Sequence, residues 1–212
     1  MIRVLLVLVL LTGITVVAHA DGLAFARQAQ KAEARRDFEQ ATILYTKAIE
    51  SGELNPGQLV DALRYRGNAN FFLGRFGPAV GDYTDSLKRE PNDLYAAVWL
   101  YMTREFAGQD GRPELIRITK KLDLFYWPGP VVKLFLGQIG ADEVLDAARD
   151  PFLDDETQNE QACEAYFYAG QYALLAGDKE AAIRLFRAAV ETGVTSFIEY
   201  DAARLALKRL GG

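Results

Sequence analysis

Side chains that could take part in acid–base or metal chemistry are concentrated in one acidic stretch late in the chain. This stretch contains Asp150, Asp154, Asp155, Glu156 and Glu160. Calcium sites need oxygen ligands directed at one point by a tight, usually glycine-containing loop, and this stretch contains no glycine. The alternative is a solvated linker whose acids enter the first turn of the next helix, where they favour the helix dipole. We predict the linker and no metal site.

The chain has only one histidine, His19, and one cysteine, Cys163. This scarcity excludes several kinds of metal site and disulfide. A zinc site needs three or four such ligands, and a disulfide framework needs cysteine pairs. We interpret Cys163 as a small packing residue. His19 lies in the N-terminal segment, so its removal would leave a chain without imidazole. Serine–histidine and cysteine–histidine nucleophiles would then be impossible, whereas carboxylate or serine–lysine chemistry would remain.

The first twenty residues have the three parts of a secretory signal. Arg3 gives a positive start, Val4–Val17 is an apolar run, and small residues flank His19 before Asp21. We predict a signal peptide over residues 1–20, cleaved after Ala20, and a periplasmic location. The alternative is an inner-membrane anchor, although the run of about 15 residues is shorter than the roughly 20 that span a bilayer.

Overall charge and motifs exclude two more classes of function. Lys and Arg total 24 against 29 Asp and Glu, for a formal net charge of −5. Non-specific nucleic-acid binding needs a concentrated basic surface that releases counterions, so we predict no nucleic-acid partner. The sequence contains no glycine-rich phosphate-binding loop, so we predict no cofactor and no catalytic residue.

The most informative pattern is an internal repeat, clearest in residues 60–93, which read VDALRYRGNANFFLGRFGPAVGDYTDSLKREPND. Gly67 and Ala79 are small where two antiparallel helices would cross, and Tyr83 is the large residue beside them. This spacing matches a tetratricopeptide repeat (TPR), a helical hairpin of 34 residues. Arg66 stands where leucine is common, and we interpret it as a solvated edge position.

Two further segments repeat the pattern, residues 22–55 and residues 163–196. In the latter, Gly170, Ala182 and Phe186 occupy the slots of Gly67, Ala79 and Tyr83. Three repeats are enough to bury a continuous core.

The predicted fold is therefore all-α, a TPR helical-hairpin solenoid with a C-terminal capping helix. Two N-terminal repeats occupy residues 21–93, and a degenerate helical segment covers residues 94–162. The third repeat and the capping helix, predicted over Ser196–Leu210, occupy residues 163–212. A solenoid needs such a terminal helix to cover its exposed end.

The second half also resembles the NlpI-type TPR proteins of the bacterial cell envelope. The resemblance lies in Trp99-Leu100-Tyr101, Phe135-Leu136-Gly137 and the run Phe167–Tyr200. It implies a dimeric, non-catalytic envelope protein that docks a C-terminal processing protease and murein hydrolases. A homodimer is thus one expectation.

The candidate peptide-binding groove is carried by Arg64, Asn68, Phe71, Phe72 and Trp99. Arg64 and Asn68 are one helical turn apart, so a guanidinium and an amide point the same way. Such a pair suits a peptide carboxylate or backbone. The alternatives are a polar groove lining without a fixed ligand and, for Trp99, a place in the core.

The sequence leaves two functions. The first is a non-enzymatic periplasmic adaptor that binds envelope proteins or their peptide segments. The alternative is a histidine-independent cell-wall hydrolase, using carboxylates or a serine–lysine pair, on the same helical frame.

Overall fold

The computed structural model describes residues 21–212, and in that range the chain forms eleven α-helices and no strand. The predicted signal peptide, residues 1–20, lies outside the described residues. The helices are α1 (Gly22–Ala34), α2 (Phe38–Glu50), α3 (Pro56–Phe72), α4 (Phe76–Arg89), α5 (Leu94–Phe106), α6 (Arg112–Thr119), α7 (Gly129–Phe135), α8 (Ala141–Ala147), α9 (Asp155–Leu175), α10 (Lys179–Glu191) and α11 (Ile198–Leu210). None of these helices is long and apolar enough to cross a membrane.

Consecutive helices pack as hairpins, most closely α1 with α2, α3 with α4 and α9 with α10. Side-chain caps fix where the helices begin. Asp37 caps α2 and Asp178 caps α10, each by accepting a hydrogen bond from a first-turn amide. Asn55 and Gln58 form a reciprocal capping box at the start of α3, with Pro56 as its first residue. The predicted all-α, TPR-like architecture is confirmed.

The helix crossings lie where the repeat pattern places its small residues. All six predicted packing residues are buried: Gly67, Ala79, Tyr83, Gly170, Ala182 and Phe186. A Cβ added to either glycine would press on the aromatic ring of the facing helix. It would lie 3.1 Å from the Tyr83 ring in α3–α4 and 2.6 Å from the Phe186 ring in α9–α10. Glycine thus sets the distance between the paired helices.

The prediction that Arg66 occupies a solvated edge position is wrong. Its guanidinium donates two hydrogen bonds to Asp82 Oδ1 and one to Asp82 Oδ2, and it contacts Thr46 Oγ1 at 3.1 Å. Its side chain is only 21% exposed. Asn70 also donates to Asp82, at 3.2 Å. The aliphatic stem of arginine covers apolar surface while its charge is paired, so Arg66 links α2, α3 and α4.

The acidic linker is shorter than predicted. Asp154 accepts a hydrogen bond from the Thr157 amide and caps α9, so the helix begins at Asp155, eight residues before the predicted repeat. Asp155 and Glu156 therefore lie in its first turn, where they favour the helix dipole. No group of three or more potential metal ligands occurs within residues 21–212.

The last helix, α11, packs on α9 and α10, as the predicted capping helix would. It also contacts the N-terminal repeats. Asp201 accepts two hydrogen bonds from Arg36, which follows α1, at 2.5 and 2.9 Å. Arg209 donates a hydrogen bond to the Phe72 carbonyl oxygen at the end of α3. We call the surface of α3, α5 and α9 that approaches α11 the inner face.

Candidate peptide-binding cavity

A cavity of about 400 Å³ lies on the inner face, where the beginning of α11 approaches α3, α5 and α9. We call it the central cavity. Three charged residues line it: Arg64, Glu164 and Glu199. Five aromatic residues also line it: Tyr65, Tyr83, Tyr95, Trp99 and Phe197. Its volume is in the range that holds side chains or small ligands.

The five predicted groove residues do not line one common cavity. Arg64, Asn68 and Trp99 line the central cavity. Phe71 and Phe72 line a second cavity of about 220 Å³, which α11 also lines, and Phe72 lines a third cavity of about 340 Å³ beside α1. Both phenylalanines are buried and belong to the main hydrophobic core. They contribute packing area while α11 holds this position, and they present no open surface to a peptide.

Arg64 is already neutralised within its own fold. Its Nη1 lies 2.6 Å from Asp93 Oδ2, and its Nη2 lies 3.0 Å from Asp61 Oδ1. Asp93 is held in place because its other oxygen caps α5 through the Ala96 amide. The positive charge that the sequence suggested for a peptide carboxylate is therefore balanced by two aspartates.

Asn68 and Trp99 are fixed by aromatic neighbours. The Tyr83 hydroxyl donates to Asn68 Oδ1 at 2.5 Å, so one end of the amide is occupied. Trp99 stacks on Phe167, with ring centroids 5.6 Å apart, and meets Phe71 edge-on at 5.2 Å. Trp99 is thus both a core residue and part of the cavity wall, which joins the two alternatives that the sequence left open.

Glu164 of α9 is the first of two buried carboxyls in the wall, with 7% of its surface exposed. The Tyr95 hydroxyl donates to its Oε2 at 2.9 Å, and the Trp127 indole nitrogen donates to the same oxygen at 2.8 Å. Burial, reinforced by Glu199, raises the pKa of Glu164 to about 8, against the opposing effect of these hydrogen bonds.

Glu199, in the first turn of α11, is the second buried carboxyl, with 5% of its surface exposed. It accepts a hydrogen bond from the Tyr168 hydroxyl at 2.8 Å. Burial also raises the pKa of Glu199. Within residues 21–212, no lysine or arginine forms an ion pair with Glu164 or Glu199. The cavity therefore holds two buried carboxyls without a cation.

The sequence carried a signal for one of these two residues. Glu164 follows Asp61 by 103 positions, the same separation as Gly170 from Gly67. Aligning the repeats therefore places Glu164 in the slot of Asp61, on the groove-facing side. Glu199 has no such counterpart, because it lies in α11 outside the repeats. Only the packing of α11 brings it to the cavity.

No protein-family model matches the chain. The functional argument therefore depends on the cavity and on the residues around it.

Proposed function

We propose that this protein is a non-enzymatic adaptor of the bacterial cell envelope that binds a segment of a partner protein in the central cavity. The single observation that supports this is a cavity of about 400 Å³ on the inner face of a TPR-like fold, lined by Arg64, Asn68 and Trp99. Its walls come from α3, α5, α9 and α11. A segment bound there would contact the second repeat and the last helix at once.

The location and the partners in this proposal come from the sequence. The signal-like residues 1–20 favour secretion to the periplasm. The resemblance to the NlpI-type proteins favours a C-terminal processing protease and murein hydrolases as partners, and a homodimer as the assembled form. The adaptor would then link envelope proteolysis to cell-wall remodelling.

A histidine-independent hydrolase is the second candidate, because the central cavity holds two carboxyls, Glu164 and Glu199. Carboxylate catalysis needs the two pKa values to be far apart, so that one group is protonated while the other is ionised. Here burial raises the pKa of both carboxyls. The pair keeps the hydrolase as the second candidate, and an activity assay decides between the two functions.

Site-specific photo-crosslinking in living cells tests the adaptor. A photoreactive amino acid replaces Ile198, which lines the central cavity, and in a matched control it replaces Ile116, an exposed isoleucine of α6. We expect discrete protein adducts from position 198 and none of the same mass from position 116.

A second assay addresses the hydrolase. The purified chain is incubated with isolated peptidoglycan, and the release of soluble fragments is measured. Fragment release that is lost in Glu164→Gln, together with an absence of adducts from position 198, would replace the adaptor with the hydrolase. Adducts from both positions in equal amount would show that the cavity is not the binding surface.

A further inference from the structure

The central cavity has an unbalanced charge. In the described part of the chain, Arg64 is the one basic residue in its wall, and Asp61 and Asp93 already pair with it. Among residues 21–212, the side-chain donors to Glu164 and Glu199 are neutral: the hydroxyls of Tyr95 and Tyr168 and the indoles of Trp127 and Trp99. Ionising either carboxyl in this buried place is unfavourable without a cation. A positively charged group entering the cavity would remove that penalty.

The aromatic walls suit the same kind of group. Tyr65 and Tyr95 line the cavity together with the two carboxyls. Aromatic rings attract ammonium and guanidinium groups through their quadrupole, and the attraction strengthens when water is excluded. A carboxylate pair next to several aromatic rings therefore favours a cation over a neutral or anionic ligand.

The remaining wall is apolar and can pack against the methylene groups of a lysine or arginine side chain. Phe197 and Ile198 lie at the beginning of α11 and line the cavity with Glu199. Lysine and arginine place methylene groups along apolar surface and keep the charged end among polar partners. The cavity combines both requirements within a single volume.

We propose that the central cavity receives a lysine or arginine side chain of the partner segment, with its charged end beside Glu164 and Glu199. This inference rests on the proposed adaptor function and specifies the chemistry of its partner. It reverses the prediction from Arg64 and Asn68, which favoured a peptide carboxylate.

The protein carries its own reporter for the test. It has two tryptophans, and both lie at this site: Trp99 lines the cavity, and Trp127 donates to Glu164. Tryptophan fluorescence is therefore recorded while capped pentapeptides with alanine at four positions are added. The central residue is lysine, arginine, norleucine, Nε-acetyl-lysine or glutamate. We expect the lysine and arginine peptides to bind at least about tenfold more tightly than the other three, a difference of about 1.4 kcal/mol.

Isosteric variants then locate the charge. Glu164→Gln and Glu199→Gln keep the shape of the side chain and remove its charge, and each is expected to weaken lysine-peptide binding at least fivefold. Glu156→Gln makes the same change in the first turn of α9 at an exposed position and serves as the matched control. It is expected to leave binding unchanged. Circular dichroism confirms that the variants fold, and the comparison among peptides on the unmodified chain needs no variant.

The pH profile gives an independent readout. Three groups from other segments face Glu164: Tyr95 of α5, Glu199 of α11, and Trp127 from the segment before α7. Glu160 lies on the same helix as Glu164, and Arg64 lines the same cavity. Its raised pKa, about 8, means that the carboxyl gains its charge between pH 6 and pH 9. Lysine stays protonated in this range. Affinity for the lysine peptide is therefore expected to rise with pH, by up to about tenfold per unit below that pKa.

The outcomes separate this inference from the adaptor proposal. Equal binding of the lysine and norleucine peptides, or no detectable binding of either, overturns the inference, and so does full affinity in Glu164→Gln. Adducts from position 198 would still support the adaptor in that case. Conversely, lysine-dependent binding without protein adducts supports a basic-group site and removes the adaptor.

Discussion

The hairpins α3–α4 and α9–α10 have small and large residues at the same repeat positions but differ in the contacts between their two helices. In α3–α4, Tyr83 donates to Asn68, while Arg66 and Asn70 both donate to Asp82. Between α9 and α10, no hydrogen bond joins two side chains in the described residues. There the crossing depends on Gly170 against Phe186 and on apolar neighbours. One hairpin is held by a polar network and the other by close packing.

The two hairpins also differ in the polar groups that they bring to the central cavity. The polar groups of α3 are largely occupied by its own hairpin and by α5, as Asn68 and Arg64 show. The polar groups of α9, Glu164 and Tyr168, point away from α10 and bond to α5, α11 and Trp127.

Breaking the polar network is expected to give the largest effect. Arg66→Ala leaves the Asp82 carboxylate, whose side chain is 6% exposed, with only the Asn70 amide and no cation. Removing one partner of a buried ion pair typically costs 3–5 kcal/mol. Because Arg66 is partly exposed, we expect the free energy of unfolding to fall by about 3 kcal/mol. Urea denaturation followed by circular dichroism measures it.

Arg75→Ala is the control for that loss. Arg75 pairs with Glu39 at 2.7 Å, but both side chains are about half exposed, and such pairs contribute under about 1 kcal/mol. A loss for Arg66→Ala no larger than for Arg75→Ala would contradict the buried network.

The two glycine crossings are expected to respond unequally. Gly170→Ala places a Cβ 2.6 Å from the Phe186 ring, and Gly67→Ala places one 3.1 Å from the Tyr83 ring. Overpacking costs about 1–3 kcal/mol, partly offset by the better helix propensity of alanine. We expect a loss of about 2 kcal/mol for Gly170→Ala and about half that for Gly67→Ala, measured by thermal denaturation.

Gly81→Ala, in the middle of α4, provides the matched control, because a Cβ there meets nothing within 4 Å. It is expected to stabilise the protein by up to about 1 kcal/mol through helix propensity alone. Equal losses at positions 67 and 170 would show that the two crossings are equally tight.

Stability is also expected to fall with rising pH. Burial raises the pKa of Glu33, which accepts a hydrogen bond from Tyr45, to about 7, and that of Glu164 to about 8. Both exceed the ordinary value of about 4.5, so between pH 4.5 and 8 the folded chain binds more protons than the unfolded chain. Stability is therefore full below about pH 4.5 and is lost progressively as pH rises to 7 and 8, by at most about 1.4 kcal/mol per pH unit for each group.

Glutamine substitutions assign this pH dependence to the two regions. Glu33→Gln removes the contribution of the first hairpin, and Glu164→Gln removes that of α9. We expect each to flatten the decline between pH 5 and pH 9 in urea denaturation. A stability that increases over this range would contradict both assignments.

The smallest expected effect concerns the contact between the two ends of the solenoid. Asp201→Asn removes the ion pair between α11 and Arg36, whose side chain is 47% exposed. Exposed pairs of this kind contribute about 0.2–1 kcal/mol. We expect a loss of about 0.5 kcal/mol in denaturation, with unchanged helicity. A loss above about 2 kcal/mol would show that this contact holds α11 in place.

The sequence by itself determined the helices and their pairing. Gly67 with Tyr83 and Gly170 with Phe186 follow a spacing that local geometry imposes, because a close crossing needs a small residue opposite a large one. Asp37 and Asp178 cap their helices through neighbours three residues away. Such short-range relations are visible in the order of residues.

The tertiary structure alone decided the chemistry of the cavity. Glu164 and Glu199 come together because α11 folds back over α9 and onto α3, and Arg64 loses its free charge to Asp93 of the next hairpin. The repeat pattern describes how each helix packs on its partner, but it contains no information about where a terminal helix outside the repeats will lie. Packing among three helices also decided that Arg66 is largely buried, because its partners Asp82 and Thr46 lie on α4 and α2.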